Sequence, residues 1–161
     1  MAVNLSAREA QNADMPSLVL AALARHGLQP ADLVLELTES VLVEAGSDTL
    51  AQLIALRDGG VKIAIDDFGT GYASLRYLAV LPVDAVKVDR SFTAGLPTDA
   101  TSVTIVRAVA RLAAEMGLAC IVEGVETEQQ LNALPPGVRG QGFLLGRPTS
   151  EPTHEWIRPA G

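Results

Sequence analysis

Short apolar runs alternate with helical segments along this chain, and run after run closes on an ionisable or amide side chain. The runs are Ala2-Val3, Leu33-Val34-Leu35, Val61 to Ile65, Val83 to Val88, Leu118 to Val122 and Phe143 to Leu145. Between them lie helices with readable ends. Asp14 and Pro16 open one that closes at Gly27, with Leu18, Leu20, Leu23 and Ala24 available for burial. Asp48 begins a second, whose Leu50, Leu53, Ile54 and Leu56 stripe stops at Gly59-Gly60. A third carries Val103, Val106, Val109, Ala110 and Ala113 at helical spacing and ends at Gly117. Thr127 with Gln130 three residues on reads as a capping box for a last short helix. This alternation predicts an α/β fold of parallel strands joined by crossover helices. The runs are nearly continuous, so both faces of each strand are expected to be covered. A doubly wound sheet and a (β/α)₈ barrel both satisfy the pattern, and both place ligands at the carboxyl ends of the strands.

What sits at those ends is chemistry. Asn4 ends the opening run, Glu36 follows Val34-Leu35, and Asp66-Asp67 follow Ile63-Ala64-Ile65. Lys87 and Asp89 lie in and after Ala85 to Val88, and Glu123 follows Ile121-Val122. One acid at a strand end is usually a solvated loop start; agreement over five successive strands predicts a site. Converging carboxylates raise one another's pKa values unless a cation intervenes. Oxygen ligands without clustered histidine favour Mg²⁺, Mn²⁺ or Ca²⁺ over zinc, and His26 and His154 read as surface residues. Adjacent Asp66 and Asp67 would face opposite ways in a regular strand, so both serve one site only if the strand ends there. The following Phe68-Gly69-Thr70-Gly71 permits a sharp departure, because glycine tolerates positive φ. Two ions about 3.5–4 Å apart, bridged by one carboxylate, would activate water for phosphodiester hydrolysis. Lys87 would orient that water or offset phosphate charge.

Composition narrows the partners. The chain has 161 residues, 48% of them hydrophobic, which suits one domain with a sizeable core. No apolar stretch approaches the roughly 18 residues of a membrane span, and Met1-Ala2-Val3-Asn4 lacks the layout of a secretory signal. Twelve Lys and Arg against nineteen Asp and Glu leave a net charge of −7, which argues against a nucleic-acid polymer as partner. A small anionic ligand held through metal ions stays compatible. The single cysteine, Cys120, forms no internal disulfide, reads as a core thiol and fits a reducing, cytoplasmic setting.

Six segments now carry a resemblance: Asn4-Leu5-Ser6, Glu36-Leu37-Thr38-Glu39, Asp66 to Tyr72, Lys87 to Phe92, Glu123 to Thr127 and Gln141 to Pro148. In this order they resemble the motifs of the EAL-domain family, over residues 3 to about 148. The resemblance implies a modified (β/α)₈, TIM-barrel-like fold and an enzyme, a cyclic di-GMP phosphodiesterase. Such a hydrolase releases linear pGpG in bacterial signal transduction, using magnesium or manganese. Carried over by residue, Asn4, Glu36, Asp66 and Asp67 match metal ligands, and Glu123 a carboxylate of the metal and water network. Lys87 and Gln141 match catalytic positions, and Glu39 matches the glutamate anchoring the loop after Asp67. Asp89, Arg90 and Glu126 are candidate substrate contacts. The loop and helix after Asp67, with Ala73, Leu75 and Leu78, imply a homodimer, and sensor or GGDEF domains are expected upstream.

The chain departs from the family in beginning near its third strand, without the Glu-Ala-Leu signature, its glutamate ligand and a nearby arginine. Residues 1–161 are therefore expected to form a single EAL domain, N-terminally truncated, with about six of eight strands. Such a chain is expected to turn over poorly alone. A catalytically inactive cyclic di-GMP receptor or dimerisation module is the alternative. An unrelated metal barrel using Lys87 to abstract a proton is a third reading, against which the Asp66 to Tyr72 loop speaks.

Overall fold

A computed structural model describes residues 1–38, 41, 47–70, 75–147 and 158–159. The chain packs as two compact units, Met1–Asp84 and Ala85–Gly161. Each repeats the strand–helix alternation read from the sequence.

In the first unit, β1 (Ala2–Asn4), β2 (Val34–Thr38) and β3 (Lys62–Phe68) pair in parallel in chain order. A short α1 (Ala7–Ala10) follows β1, capped by Ser6 and Glu9 in a reciprocal box. Next, α2 (Met15–Arg25) starts with Pro16 in its first turn, and its chain reverses at Gly27 (φ 68°). The third helix, α3 (Ser47–Asp58), lies between β2 and β3 in sequence. Leu35 and Leu37 of β2 lie on the same sheet face as Ile63 and Ile65 of β3, and Leu53 and Leu56 of α3 are fully buried. Burying each such side chain contributes about 1.5–3 kcal/mol. Asp84 closes the unit: its carboxylate accepts the Ile63 N–H (2.9 Å), and its own N–H donates to the Ile63 carbonyl (2.8 Å). A short α4 (Leu75–Val80) precedes it.

The second unit pairs β4 (Ala85–Val88), β5 (Ala119–Val122) and β6 (Arg139–Gly140) in parallel, and β7 (Arg158–Pro159) runs antiparallel to β6. Helix α5 (Arg90–Thr93) directly follows β4, and α6 (Ala100–Glu115) buries Ser102, Val106, Val109, Ala110 and Ala113. Asp99 caps α6 by accepting the Ser102 N–H and hydroxyl; those two bonds hold its carboxyl below the usual carboxylate range. The predicted capping box opens α7 (Glu128–Asn132).

Three expectations are corrected. Phe143 to Leu145 is a turn, and the strand is the less apolar Arg139–Gly140 just before it. The Leu144 N–H donates to the Val125 carbonyl, and the Leu145 and Gly146 N–H groups fold back onto Gly142, leaving Phe143 55% exposed. In α2 the buried residues are Met15 and Leu23, while Leu18 is 58% exposed and Ala24 lies in solvent. Apolar spacing marked a stripe, but Met15 and Leu23 set which edge of it turns inward. Nor are all strands covered: β4 is buried throughout, whereas β1 is exposed throughout. Trp156 and His154 lie outside the described residues. Among those described, no helix is long and apolar enough to cross a membrane.

Burial on β5 pushes the Cys120 thiol up to about 11 from its ordinary 9.0. A raised folded value means this thiol's contribution to stability is complete below pH 9.0 and fades as pH climbs towards 11. Cys120 is therefore expected to resist iodoacetamide at about pH 8 in the folded chain and to react fully in denaturant, as followed by mass spectrometry.

Candidate active site

Parallel pairing puts every carboxyl end of a unit's strands on one side, and the two-residue period then decides which side chains share a face. In the first unit Asn4 pairs with Glu36 and Glu36 with Ala64; Asp66 stands two residues beyond Ala64, opposite Thr38. Asn4, Glu36 and Asp66 therefore share one face, while Leu35, Leu37, Ile63 and Ile65 take the other.

Asp67 breaks that parity. It carries φ 53°, the left-handed region, and no other described residue besides glycine has positive φ. Aspartate tolerates this conformation better than most residues, at a strain of roughly 1–3 kcal/mol for a non-glycine position. Thr70 stabilises it, donating both its hydroxyl (2.9 Å) and its N–H (3.3 Å) to the Asp67 carbonyl. The departure predicted at the glycine loop thus begins at the second aspartate itself. Adjacent carboxylates consequently come together: one oxygen of Asp66 and one of Asp67 lie within 4.8 Å of each other. Thr70 belongs to the quoted loop, but no local pattern announced its hold on Asp67.

The second unit presents a complementary set. Lys87 on β4 aligns with Ile121 on β5, and Ile121 with Arg139 on β6. Glu123 and Gln141 each stand two residues further on, so Lys87, Glu123 and Gln141 share one face. The Gln141 N–H donates to the Val122 carbonyl and the Gln141 carbonyl accepts from Val125, fixing its register. Lys87 is only 3% exposed, and its Nζ meets Glu123 Oε1 at 2.5 Å. A buried ammonium survives only with charge and hydrogen-bond compensation. Glycine makes the bend that follows: Gly124 has φ 71°, and a Cβ there would stand 2.6 Å from Cβ of Arg90.

Candidate substrate residues occupy the rim. Asp89 caps α5, accepting the Ser91 N–H (2.9 Å). Burial lifts its carboxyl, but the Ser91 and Arg90 hydrogen bonds and the Arg90 charge outweigh that and leave it below the usual range. Arg90 and Glu126 are exposed. Glu39 and residues 71–74, which include Ala73, lie outside the described residues.

The sequence matches the EAL domain family over residues 1–148. The chain belongs to the EAL-domain family. EAL domains have the TIM-barrel-like architecture expected from the sequence, and the strand–helix repeat fits part of it. The chain is 45% identical over 150 residues to the bifunctional diguanylate cyclase/cyclic di-GMP phosphodiesterase MucR of Pseudomonas aeruginosa, covering 92% of this chain and 22% of that protein. Its fold matches the solved MucR phosphodiesterase–cyclic di-GMP complex with a TM-score of 0.83 at 45% identity, over 92% of this chain and 61% of that one. It also matches the manganese and cyclic di-GMP complex of Klebsiella pneumoniae BlrP1, with a TM-score of 0.81 at 31% identity, over 99% of this chain and 38% of that one. The chain spans about a fifth of the length of the curated relatives it matches.

Breaking the Lys87–Glu123 pair from one side should cost more than removing it whole. Lys87→Met is expected to lower unfolding free energy by about 3 kcal/mol, the low end for a buried pair because the Glu123 side chain keeps 20% of its exposure. The double variant Lys87→Met/Glu123→Leu should recover most of that loss in urea unfolding.

Proposed function

We propose that this EAL chain hydrolyses cyclic di-GMP to linear pGpG, assisted by two divalent cations, Mg²⁺ or Mn²⁺, in cytoplasmic second-messenger signalling. The observation that carries this reading is the buried Lys87–Glu123 pair, on the same strand-end face as Gln141. It occurs in a family whose solved members include a cyclic di-GMP complex and a manganese/cyclic di-GMP complex.

The donor chemistry suits hard cations. Asn4, Glu36, Asp66, Asp67 and Glu123 offer amide and carboxylate oxygens, the ligand type Mg²⁺ and Mn²⁺ prefer. The close approach of Asp66 and Asp67 oxygens is the spacing at which a cation offsets mutual repulsion. When bound, the ions would supply Lewis acidity to the phosphodiester and its attacking water. In this reading Lys87 orients the water and offsets phosphate charge, while Glu123 holds Lys87 and completes the carboxylate set. Gln141 steadies the reacting groups, and Glu39 anchors the loop after Asp67. Asp89, Arg90 and Glu126 contact the dinucleotide. Water adds to one phosphorus, one ester bond opens, and the product keeps a 5′ phosphate.

Both compact units act in this reading as one EAL domain, residues 1–161, and the loop and helix after Asp67 form a homodimer face. Attached sensor or GGDEF domains would deliver the signal; the MucR relative is named for both cyclase and phosphodiesterase activities.

Activity is to be measured in this chain and in the chain joined to a segment bearing the family's Glu-Ala-Leu motif. Mg²⁺ or Mn²⁺ should support cleavage, Ca²⁺ should inhibit it, and excess chelator should abolish it. Glu123→Ala and Lys87→Ala are each expected to lower turnover about 100-fold or more while changing dinucleotide affinity only a few-fold. Full activity in chelator would reject the metal mechanism. Tight binding without turnover in either protein would favour the receptor reading.

A further inference from the structure

A second set of contacts in the second unit reaches Glu123 from behind. Thr93, the last residue of α5, is fully buried, and its hydroxyl donates to the Glu123 backbone carbonyl at 2.5 Å. The Thr93 carbonyl in turn accepts from Gln130 Nε2 at 3.2 Å. Gln130 Oε1 accepts the Glu126 and Thr127 N–H groups, at 2.8 and 3.0 Å. Two backbone donors require the amide oxygen on that side, so the NH₂ group has to point at Thr93. Arg90, at the other end of α5, packs its Cβ beneath Gly124, where any side chain on residue 124 would collide. Helix α5 is therefore clamped to the Glu123–Gly124 bend at both ends.

We propose that Thr93 and Gln130 are positioning residues that set the height of the Glu123 carboxylate at the end of β5, and through it the seat of the Lys87 ammonium. This deepens, and rests on, the phosphodiesterase reading. Its chemistry explains a choice the capping box leaves open. Glutamate caps α7 as well as glutamine does, but only glutamine also has a donor for Thr93. The same tether joins Arg90, a candidate substrate contact, to Glu123 and Lys87, so the dinucleotide-binding rim and the reacting groups move as one body.

The test compares Gln130→Glu, Thr93→Val and Thr93→Ser in the full chain, with two readouts. The first is the ¹⁵N-detected NMR signal of the Lys87 ammonium, which a buried, paired lysine protects from exchange with water. It needs no turnover. Wild type and Thr93→Ser should show the protected signal; Gln130→Glu and Thr93→Val should lose it or shift it towards that of exposed lysines, with the α7 helix retained by circular dichroism. The second readout is turnover in the chain joined to a segment bearing the Glu-Ala-Leu motif: Gln130→Glu and Thr93→Val should lower kcat about tenfold with KM within twofold, and Thr93→Ser should keep it near wild type. A protected Lys87 signal unchanged in both Gln130→Glu and Thr93→Val would overturn the tether. Absent turnover in the joined wild type, with the NMR pattern as expected, would instead count against the phosphodiesterase reading alone.

Discussion

An ammonium group 3% exposed at the end of a buried strand is expensive, because its desolvation penalty is several kcal/mol. Glu123 offsets that penalty from the neighbouring strand, and the pair exists only because β4 and β5 run in register with Lys87 two residues short of Glu123. Much of the second unit serves this alignment. The buried faces of Val86, Val88, Cys120 and Val122 hold the two strands together. Gly124 turns the chain away at once, so Glu123 remains at the sheet's rim. A hydrophobic pair of the same volume would cost less, so retaining a charged one argues for use.

The first unit solves a different problem, that of bringing two consecutive carboxylates to one place. A regular strand forbids it. Placing Asp67 in the left-handed region and fastening its carbonyl to Thr70 permits it, at the cost of local strain. That strained conformation is what brings its carboxylate within 4.8 Å of Asp66. Both units therefore hold arrangements that folding alone would disfavour, each at the carboxyl ends of its strands.

How much of this was legible follows from what leaves a local trace. Parallel strands rich in buried apolar residues write themselves as apolar runs, so β2 to β5 were readable, and caps such as Thr127 with Gln130 marked helix starts. The residues at strand ends were readable too, because position relative to a run needs no tertiary knowledge. Phe143 to Leu145 misled because apolar composition alone does not separate a strand from a turn. The packing of Gly142 against the Val125 backbone decided that case, and nothing near residue 142 announces it. Asp67's conformation was equally silent, since an aspartate at a strand end does not by itself say whether its own φ turns positive. Thr93 gave no signal at all: a threonine after an aromatic residue in a short helix has no pattern of its own, and its partner lies 30 residues away. Gln130 gave half of its role, the cap, and concealed the other half in its amide nitrogen.

On the proposed phosphodiesterase reading, the strand-end carboxylates, Asp66 and Glu123 among them, bind divalent cations. Calorimetric titration of Mn²⁺ into the chain and into the single variants Asp66→Asn and Glu123→Gln tests it most directly, with circular dichroism confirming each fold. Saturable binding is expected in the unaltered chain, weakened at least tenfold by either substitution. Manganese affinity lost in Asp66→Asn but unchanged in Glu123→Gln would contradict it.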